Sequence, residues 1–212
     1  MAAHVACATM RDMYHDESRR LQDRFDTRRL ADRLAENLSR TAFTDEDSAF
    51  IAGQAMFFFA TADADGWPEC SYKGGVPGFV RVVNAQTLAF PSYDGNGMFR
   101  SLGNVMTNPR VGLLFIDFER PRRLRVQGQA TLSLDAQELA SWAGAQCVVR
   151  VRAERIFPNC PRYIHRMQRL EMSPYAPCEN HEPPPAAWKR FEMFRDVLPK
   201  GDLAAKDDAN PR

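Results

Sequence analysis

The sequence lacks the features that would place it in a specialised class of protein. Its five cysteines are scattered (Cys7, Cys70, Cys147, Cys160 and Cys178) and include no CxxC pair. Neither a disulfide framework nor a zinc ribbon is therefore expected, and no His, Cys and Asp grouping has the spacing of metal ligands. No apolar run is long enough to span a membrane, and the N-terminus lacks the hydrophobic core of a secretory signal. These absences predict a cytoplasmic protein with reduced thiols.

An excess of charge of one sign is also absent. The 28 Lys and Arg residues nearly balance the 27 Asp and Glu residues, which gives a net charge of +1. Neither nucleic acid nor an anionic membrane is therefore an expected partner. The 212 residues are 44% hydrophobic, which is enough to bury the core of one domain with appendages.

The chain divides into three predicted regions. Residues 1–43 form a charged N-terminal helical extension, residues 44–198 a folded domain that ends in helices, and residues 199–212, which include GDLAAKDDANPR, a disordered tail. The extension contains apolar residues spaced by three to five, which predict one or two amphipathic helices. We expect these helices to pack on the body of the protein or on a partner subunit. The residues are Leu21, Phe25, Leu30, Leu34 and Leu38.

The folded domain has the pattern of an antiparallel β protein. Thr44 and Asp47 predict an N-cap ahead of the helix SAFIAGQA. The strand-like segments are MFFFATA, WPECSYKG, FVRVV, TLAFPSY, VGLLFIDF, RLRVQGQATL and, after a short helix in DAQELASWAGA, CVVRVRAERIF. Most of their connections are too short for crossover helices, which favours an antiparallel barrel over a parallel α/β sheet. Further helical patterns follow in NCPRYIHRMQRL, with Pro161 at its first turn, and in WKRFEMFRDVL.

Residues 93–109, YDGNGMFRSLGNVMTNP, carry the clearest chemical signal. A strand runs into a glycine-rich turn, and a segment with helical spacing follows. Glycines let backbone N–H groups approach a ligand closely, and a helix start adds free amides and a positive dipole end. Arg100, Ser101 and Asn104 add guanidinium, hydroxyl and carboxamide groups that bind phosphate oxygens. The pattern predicts anion capture, with a nucleotide-type cofactor as the natural ligand.

These segments, taken in order, resemble the FMN-binding split barrel of the pyridoxamine 5′-phosphate oxidase-like flavoproteins. The similarity covers roughly residues 50–134, and residues 156–167 add to it. It rests on a strand with a basic residue (GFVRVV), a strand ending in a turn (TLAFPSY), a helix leading to Asn108-Pro109, and the strands VGLLF and RLRVQG. The resemblance implies that residues 44–198 form a mainly β, six-stranded antiparallel Greek-key split barrel with flanking helices. It also implies a homodimer with FMN in clefts between the subunits.

The resemblance implies phosphate ligands on two segments. Arg81 falls where the family places a basic residue that reaches the FMN phosphate, and Arg100 and Ser101 fall in the family's second phosphate-binding cluster. The residues expected to support that cluster are Asn96, Gly97 and Asn104. Related sequences often have arginine where this chain has Met98, so the chain departs from the family pattern within the phosphate cluster.

The resemblance further implies contacts to the rest of the cofactor. Residues on the strand that runs past the flavin ring are Ser71, Tyr72 and Lys73. Ser92 lies near the ribityl chain, and Arg123 and Arg125 approach the cofactor from the partner subunit.

Several of these residues also have a purely structural interpretation. Arg100 is compatible with an exposed helix position, and Lys73 with a solvent-facing strand position. Arg123 and Arg125 alternate with apolar residues and so share one strand face, which suits a solvated surface or a dimer salt bridge as well as FMN.

The segment NCPRYIHRM places Cys160, Arg162 and His165 near the predicted helix start. A helix N-terminus lowers a thiol pKa, and a catalytic thiol–imidazole pair is conceivable. Positions 160 and 165 do not share a helix face, however. Similar flavoproteins have a comparable polar segment near the flavin, so these three residues are predicted to shape the substrate side.

The resemblance implies an FMN-dependent oxidoreductase acting on an unidentified small molecule, with reduced nicotinamide, NAD(P)H, or dioxygen as the other reactant. No side chain is an obligatory acid or base, because the cofactor carries the chemistry. Oxidation of pyridoxamine phosphate itself is disfavoured, since WKRFEMFRDVLP matches poorly the C-terminal arginine- and tryptophan-containing motif of that enzyme. Two other classes stay open: a non-catalytic carrier of flavin, haem or deazaflavin, and a structural or regulatory dimer without cofactor.

Overall fold

The computed structural model describes residues 13–179, 181 and 183–206. Cys7 and residues 207–212 of the predicted tail lie outside this range. The chain forms two compact units, residues 1–40 and residues 41–212. No helix in the described ranges is long and apolar enough to cross a membrane.

The first unit consists of two helices, α1 (Asp16–Arg24) and α2 (Arg28–Leu38). The Tyr14 hydroxyl donates a hydrogen bond to the carbonyl of Ala31 across 3.1 Å. An ion pair of 2.5 Å joins Arg19 to Asp32, so two contacts hold α1 against the first half of α2. The sequence predicts one or two helices here, and two form. Their packing on a partner subunit stays a prediction.

The second unit contains a helix, a β-sheet and short C-terminal helices. In chain order its elements are α3 (Asp45–Ala52), β1 (Met56–Ala62), β2 (Pro68–Gly74), β3 (Arg81–Asn84), β4 (Thr87–Ser92), α4 (Arg100–Thr107), β5 (Arg110–Asp117), β6 (Arg122–Ser133), α5 (Ala136–Leu139), β7 (Cys147–Pro158), a 3-10 helix (Ala187–Arg190), α6 (Glu192–Arg195) and α7 (Leu203–Lys206).

The seven strands form one antiparallel sheet in the order β2-β1-β5-β6-β7-β4-β3. Every strand-like segment of the sequence forms a strand, and the mainly β class with flanking helices is confirmed. The six-stranded Greek-key barrel implied by the resemblance is not confirmed by this seven-stranded sheet. Since β2 pairs with β1 over its whole length, from Met56 opposite Gly74 to Ala62 opposite Pro68, it adds an edge strand. Within the described ranges β2 and β3 are the two edges, so the sheet is open.

The inner face of the sheet packs an aromatic core. The ring of Phe57 lies 4.9 Å from Phe90 and 5.1 Å from Phe115, and Phe59 lies 5.4 Å from Phe90. All four rings are fully buried. Because side chains alternate along a strand, this packing turns one face of β2 inward. Its residues, which pair with Thr61, Phe59 and Phe57, are Glu69, Ser71 and Lys73.

A close backbone approach fixes the register of the two longest strands. The β6–β7 ladder shifts between Gln127 and Gly128, where β7 contains an extra residue. A Cβ atom at Gly128 would lie 2.1 Å from the carbonyl oxygen of Arg152. Only glycine fits there, since the clash would be with backbone rather than with a flexible side chain.

Two C-terminal expectations differ from the structure. NCPRYIHRMQRL forms no helix: after a turn at Pro161 it runs past the β5–β6 connection, where the Met167 amide donates to the carbonyl of Phe118. Leu170 is 95% exposed, so a helix here would have no apolar face to bury. WKRFEMFRDVL forms only the 3-10 helix and α6.

The start of the predicted disordered tail is also structured. Leu203–Lys206 form α7, and Ala204 is buried. The reason is an ion pair, absent from any local pattern, between Lys189 and Asp202 at 2.7 Å.

The predicted N-cap of α3 is confirmed as a capping box. The Asp47 amide donates to the Thr44 hydroxyl at 3.1 Å, and the Thr44 amide donates to the Asp47 carboxylate at 3.0 Å. We expect Thr44→Ala to lower the free energy of unfolding by about 1 kcal/mol, measured by urea denaturation. Ser48→Ala removes only an exposed hydroxyl that bonds the Thr44 carbonyl and serves as the control. Equal losses in both variants would contradict the capping role.

Candidate functional site

The turn between β4 and α4 exposes the start of a helix without a side-chain cap. Gly97 has φ +73°, and Phe99 at the N-cap position has φ +49°. The Asn96 carboxamide accepts a hydrogen bond from the Met98 amide at 3.1 Å, which holds the turn. Phe99 has no polar side-chain atom, so the N-cap residue makes no side-chain hydrogen bond to the first amides of α4. Free amides at a helix start attract anions.

The inward face of β2 is joined to the start of α4 by two side-chain contacts. The Ser101 hydroxyl donates to the Ser71 hydroxyl at 3.0 Å. Arg100 forms an ion pair with Glu69 at 2.8 Å. Glu69 is the more buried partner, with 21% of its side chain exposed against 62% for Arg100. Arg100 therefore neutralises a carboxylate that faces the same space as the two hydroxyls.

Lys73 is the unpaired cation of this region. Its side chain is half-buried on β2, and no described residue forms a hydrogen bond or ion pair with it. Burial lowers the pKa of Lys73, although the nearby Cys147 and Glu69 oppose this shift. A partly desolvated ammonium without a carboxylate partner is destabilising on its own, so the position suits an anionic ligand.

A cavity of about 330 Å³, here the β2–α4 cavity, lies among these groups. Its lining residues are Glu69, Ser71, Lys73, the segment 92–102 and Gln146. A second cavity of about 580 Å³, here the β2–loop cavity, shares Lys73 and residues 92–95 and extends past Gly74 and Gly75 to residues 169–176. Ligand sites typically measure about 300–1,000 Å³. A ligand with an anionic end and a larger flat part fits this pair of cavities.

Two weak acids beside the cavities stay protonated near neutral pH. Burial raises the pKa of Tyr93, with a smaller opposing effect of Arg81. Burial also raises the pKa of the Cys147 thiol, against the hydrogen bond of Ser92 and the charge of Lys73. Both groups act as neutral hydrogen-bond partners, and neither provides an anionic nucleophile.

The structure brings seven of the twelve predicted cofactor-binding residues to one cavity. Those that line the β2–α4 cavity are Ser71, Lys73, Ser92, Asn96, Gly97, Arg100 and Ser101. Tyr72 points the other way and lines only the β2–loop cavity. Its ring lies edge-on to Phe58 at 6.4 Å.

Other predicted residues lie outside both cavities. Arg81 stacks on Trp142, with its guanidinium 4.4 Å from the ring centroid. The Asn104 carboxamide donates to the Thr61 hydroxyl at 3.1 Å and so ties α4 to β1. Arg123 and Arg125 lie on the outer face of β6, away from the core.

Sequence reasoning missed several lining residues. Glu69 could have been predicted from the sequence, because side chains alternate along a strand and Glu69 lies on the same face of β2 as Ser71 and Lys73. Gln146 and residues 169–176 had none, since the fold brings them in from distant parts of the chain.

The segment predicted to shape the substrate side has a distinct chemistry. Arg162 donates a hydrogen bond from Nε to Sγ of Cys160 at 3.2 Å. Hydrogen bonds from the Arg162 backbone and side chain lower the pKa of Cys160, and the charges of Arg162 and Arg123 act in the same direction. His165 is exposed, and in the part of the chain described no hydrogen bond joins it to Cys160. A thiol–imidazole pair is not formed.

Comparison with known proteins gives one family match and several structural matches. The family model described as pyridoxamine 5′-phosphate oxidase matches residues 43–172. Among curated proteins, none matches. A candidate pyridoxamine 5′-phosphate oxidase of Lactobacillus delbrueckii is 22% identical, with a TM-score of 0.46, over 56% of this chain and 95% of that one.

Two further structures come from other bacteria. HupZ of Group A Streptococcus is 23% identical with a TM-score of 0.45, over 55% of this chain and 93% of that one. HutZ, the heme storage protein of Vibrio cholerae, is 20% identical with a TM-score of 0.36, over 54% and 89%.

Proposed function

Because the chain belongs to the pyridoxamine 5′-phosphate oxidase family, we propose that it is a flavoprotein that binds FMN in the β2–α4 and β2–loop cavities. It uses FMN in an oxidoreductase reaction on a small organic molecule. One observation carries the proposal: an unpaired half-buried lysine, two bonded hydroxyls and an uncapped helix start line the same cavity.

The phosphate of FMN belongs in the β2–α4 cavity. The free amides at the start of α4 and the hydroxyls of Ser71 and Ser101 are its neutral partners. The ammonium of Lys73 is its charged partner. Arg100 neutralises Glu69, which would otherwise repel the phosphate from the same cavity.

The larger part of the cofactor extends into the β2–loop cavity. Gly74 and Gly75 line it without side chains, and Tyr72 adds an aromatic wall. Bound FMN supplies the capacity to accept and donate a hydride. The chain binds and orients the cofactor, and side chains from residues 169–176 line that cavity. No catalytic acid or base is assigned.

The proposal includes a homodimer. On the outer face of the sheet, cross-strand partners form one row: Tyr72, Phe58, Leu114, Arg125 and Phe157. Tyr72 is 63% exposed, and the row is largely apolar, as protein interfaces commonly are. A second copy on this face brings Arg123 and Arg125 of the partner subunit toward the cofactor.

Spectroscopy of the purified protein tests the cofactor and the reaction. Flavin absorbance, with FMN released on denaturation, supports the proposal, and bleaching by NAD(P)H followed by reoxidation in air identifies an enzyme. A flavin that neither bleaches nor turns over would make the protein a carrier. A Soret band, or a colourless protein that ignores added FMN, would overturn the FMN assignment.

The Glu69–Arg100 pair gives a sharper test of the phosphate cavity. We expect Arg100→Gln to weaken FMN binding about tenfold, because the Glu69 carboxylate is left unneutralised beside the phosphate. Flavin fluorescence quenching measures the affinity. The double variant Glu69→Gln/Arg100→Gln should return to within about threefold of the parent. A double variant as weak as the single one would mean that Arg100 binds the phosphate itself.

A further inference from the structure

Three arginines lie where β6 begins and β7 ends. Arg123 and Arg125 are neighbours on one face of β6, and both are half-buried. Leu124 pairs with Pro158, so Arg123 lies opposite Asn159 at the end of β7. Arg162 follows three residues later. In the ranges that the structure describes, none of these three guanidinium groups, here the arginine cluster, forms an ion pair.

Two buried polar atoms in this cluster have no hydrogen-bond partner. They are Nε of Arg123, a donor, and Oδ1 of Asn159, an acceptor. Buried polar atoms are rarely left unpaired, and each one that is calls for a partner. One molecule satisfies both only if it offers an acceptor and a donor side by side.

The carboxylate of Asp117, which pairs with Arg122 at the start of β6, is already engaged. Asp117, at the β5–β6 turn, accepts hydrogen bonds of 2.9 Å from the amides of Glu119 and Arg120. Its second oxygen is 3.9 Å from the Arg120 side chain. The Met167 amide holds the segment after β7 against this turn by bonding the Phe118 carbonyl. The cluster is therefore a positive surface fixed in place by backbone contacts.

We propose that the arginine cluster binds a small organic acid that carries a hydroxyl or amino group beside its carboxylate. The carboxylate accepts from Arg123, Arg125 and Arg162, and the hydroxyl or amino group donates to Asn159. This inference rests on the proposed function and names the class of molecule that the flavoprotein acts on. Arg125 lies in the same cross-strand row as Tyr72, so the acid and the β2–loop cavity share one side of the sheet.

The alkylation rate of Cys160 can be used to measure ligand binding at the arginine cluster in the unsubstituted protein. Its sulfur accepts a hydrogen bond from Arg162. A carboxylate bound to the cluster would neutralise the positive charges that favour the reactive thiolate form of Cys160. We expect saturating glycolate to slow alkylation of Cys160 by iodoacetamide about tenfold, measured by mass spectrometry of the modified peptides. Acetate, which lacks the hydroxyl, should protect only at higher concentration. Cys70, which is also exposed, is the internal control.

Two substitutions test whether the arginine cluster is responsible for the protection of Cys160 by glycolate. Arg125→Gln should abolish protection by glycolate, whereas Arg120→Gln, 93% exposed at the adjacent turn, should keep it. Chloride at equal ionic strength should have no effect. Equal slowing by chloride, equal slowing of Cys70, or no difference between glycolate and acetate would overturn the inference even if no variant folds.

FMN affinity, measured on the same samples, separates this inference from the proposed function. Glycolate protection in a protein that does not bind FMN would refute the flavoprotein and keep the acid site. FMN binding without glycolate protection would refute the acid site alone.

Discussion

Lys73→Met is expected to stabilise the ligand-free protein and at the same time to weaken FMN binding roughly 10- to 100-fold. Burial lowers the pKa of Lys73, so folding disfavours the charge that the side chain carries at neutral pH. Methionine fills a similar volume without that charge. The phosphate of FMN, however, loses its one unpaired cationic partner in the β2–α4 cavity.

Two measurements separate these effects. Urea denaturation without FMN should give a higher free energy of unfolding for Lys73→Met than for the parent, and fluorescence titration should give the weaker FMN affinity. Lys200→Met makes the same change at an exposed position and should alter neither quantity. A variant that is less stable and binds FMN normally would mean that Lys73 is a structural residue.

The same lysine predicts a pH dependence of FMN affinity. In the ligand-free protein the pKa of Lys73 lies below its ordinary value, and a bound phosphate raises it. FMN affinity is therefore full at pH below the ligand-free pKa and falls as pH rises from the ligand-free to the bound pKa. Lys73→Arg should remove this fall, because arginine keeps its proton. An identical alkaline fall in the arginine variant would assign the effect to another group.

One half of the candidate site, the turn and helix start at residues 93–109, was predictable because its residues are contiguous in the sequence. The structure keeps Gly97, Arg100 and Ser101 at one cavity. The other half depends on pairing across the fold. Ser71 meets Ser101 only because the aromatic core turns that face of β2 inward.

Arg81 shows why order in sequence does not fix a side chain's direction. A shift of one residue along a strand reverses the face that each side chain occupies. On β3 the neighbour Val82 packs against the core, and Arg81 points to the outside and stacks on Trp142, 61 residues further along the chain. No local pattern contains that partner.

The fold was predictable at the level of strands and less so after β7. Alternation and turns mark each strand, whereas NCPRYIHRMQRL has helical spacing and the exposed Leu170 shows that it has no surface to pack on. Helical stability comes mainly from packing an apolar face. The chain after residue 172 also lies beyond the family match, and distant ion pairs rather than periodicity organise it.

Lys189→Met is expected to lower the free energy of unfolding by about 3–5 kcal/mol, the usual result of removing one partner of a buried pair. Lys189 and Asp202 are 7% and 8% exposed, and Lys189 also contacts Asp94, which is 62% exposed. The hydrogen bond from Lys189 is the main cause of the lowered pKa of Asp202. That stabilisation is present above the ordinary pKa of an aspartate and is lost as pH falls through the lowered value. The variant should therefore lose stability less steeply in acid.

Control variants separate the contribution of the Lys189–Asp202 pair from that of the Lys189–Asp94 contact. Asp94→Asn keeps the buried pair and should cost less than about 1 kcal/mol, because Asp94 is largely solvated. Lys189→Met/Asp202→Asn should recover most of the loss, since no uncompensated charge stays buried. Asp94 also lines the β2–α4 cavity. The ion pairs of Lys189 with Asp94 and Asp202 therefore hold the turn that precedes α4 in place. Hydrogen exchange in residues 93–99 should be faster in Lys189→Met than in the unsubstituted protein, because the contact to Asp94 is lost. Unchanged exchange there would limit the effect of Lys189 to the C-terminal segment.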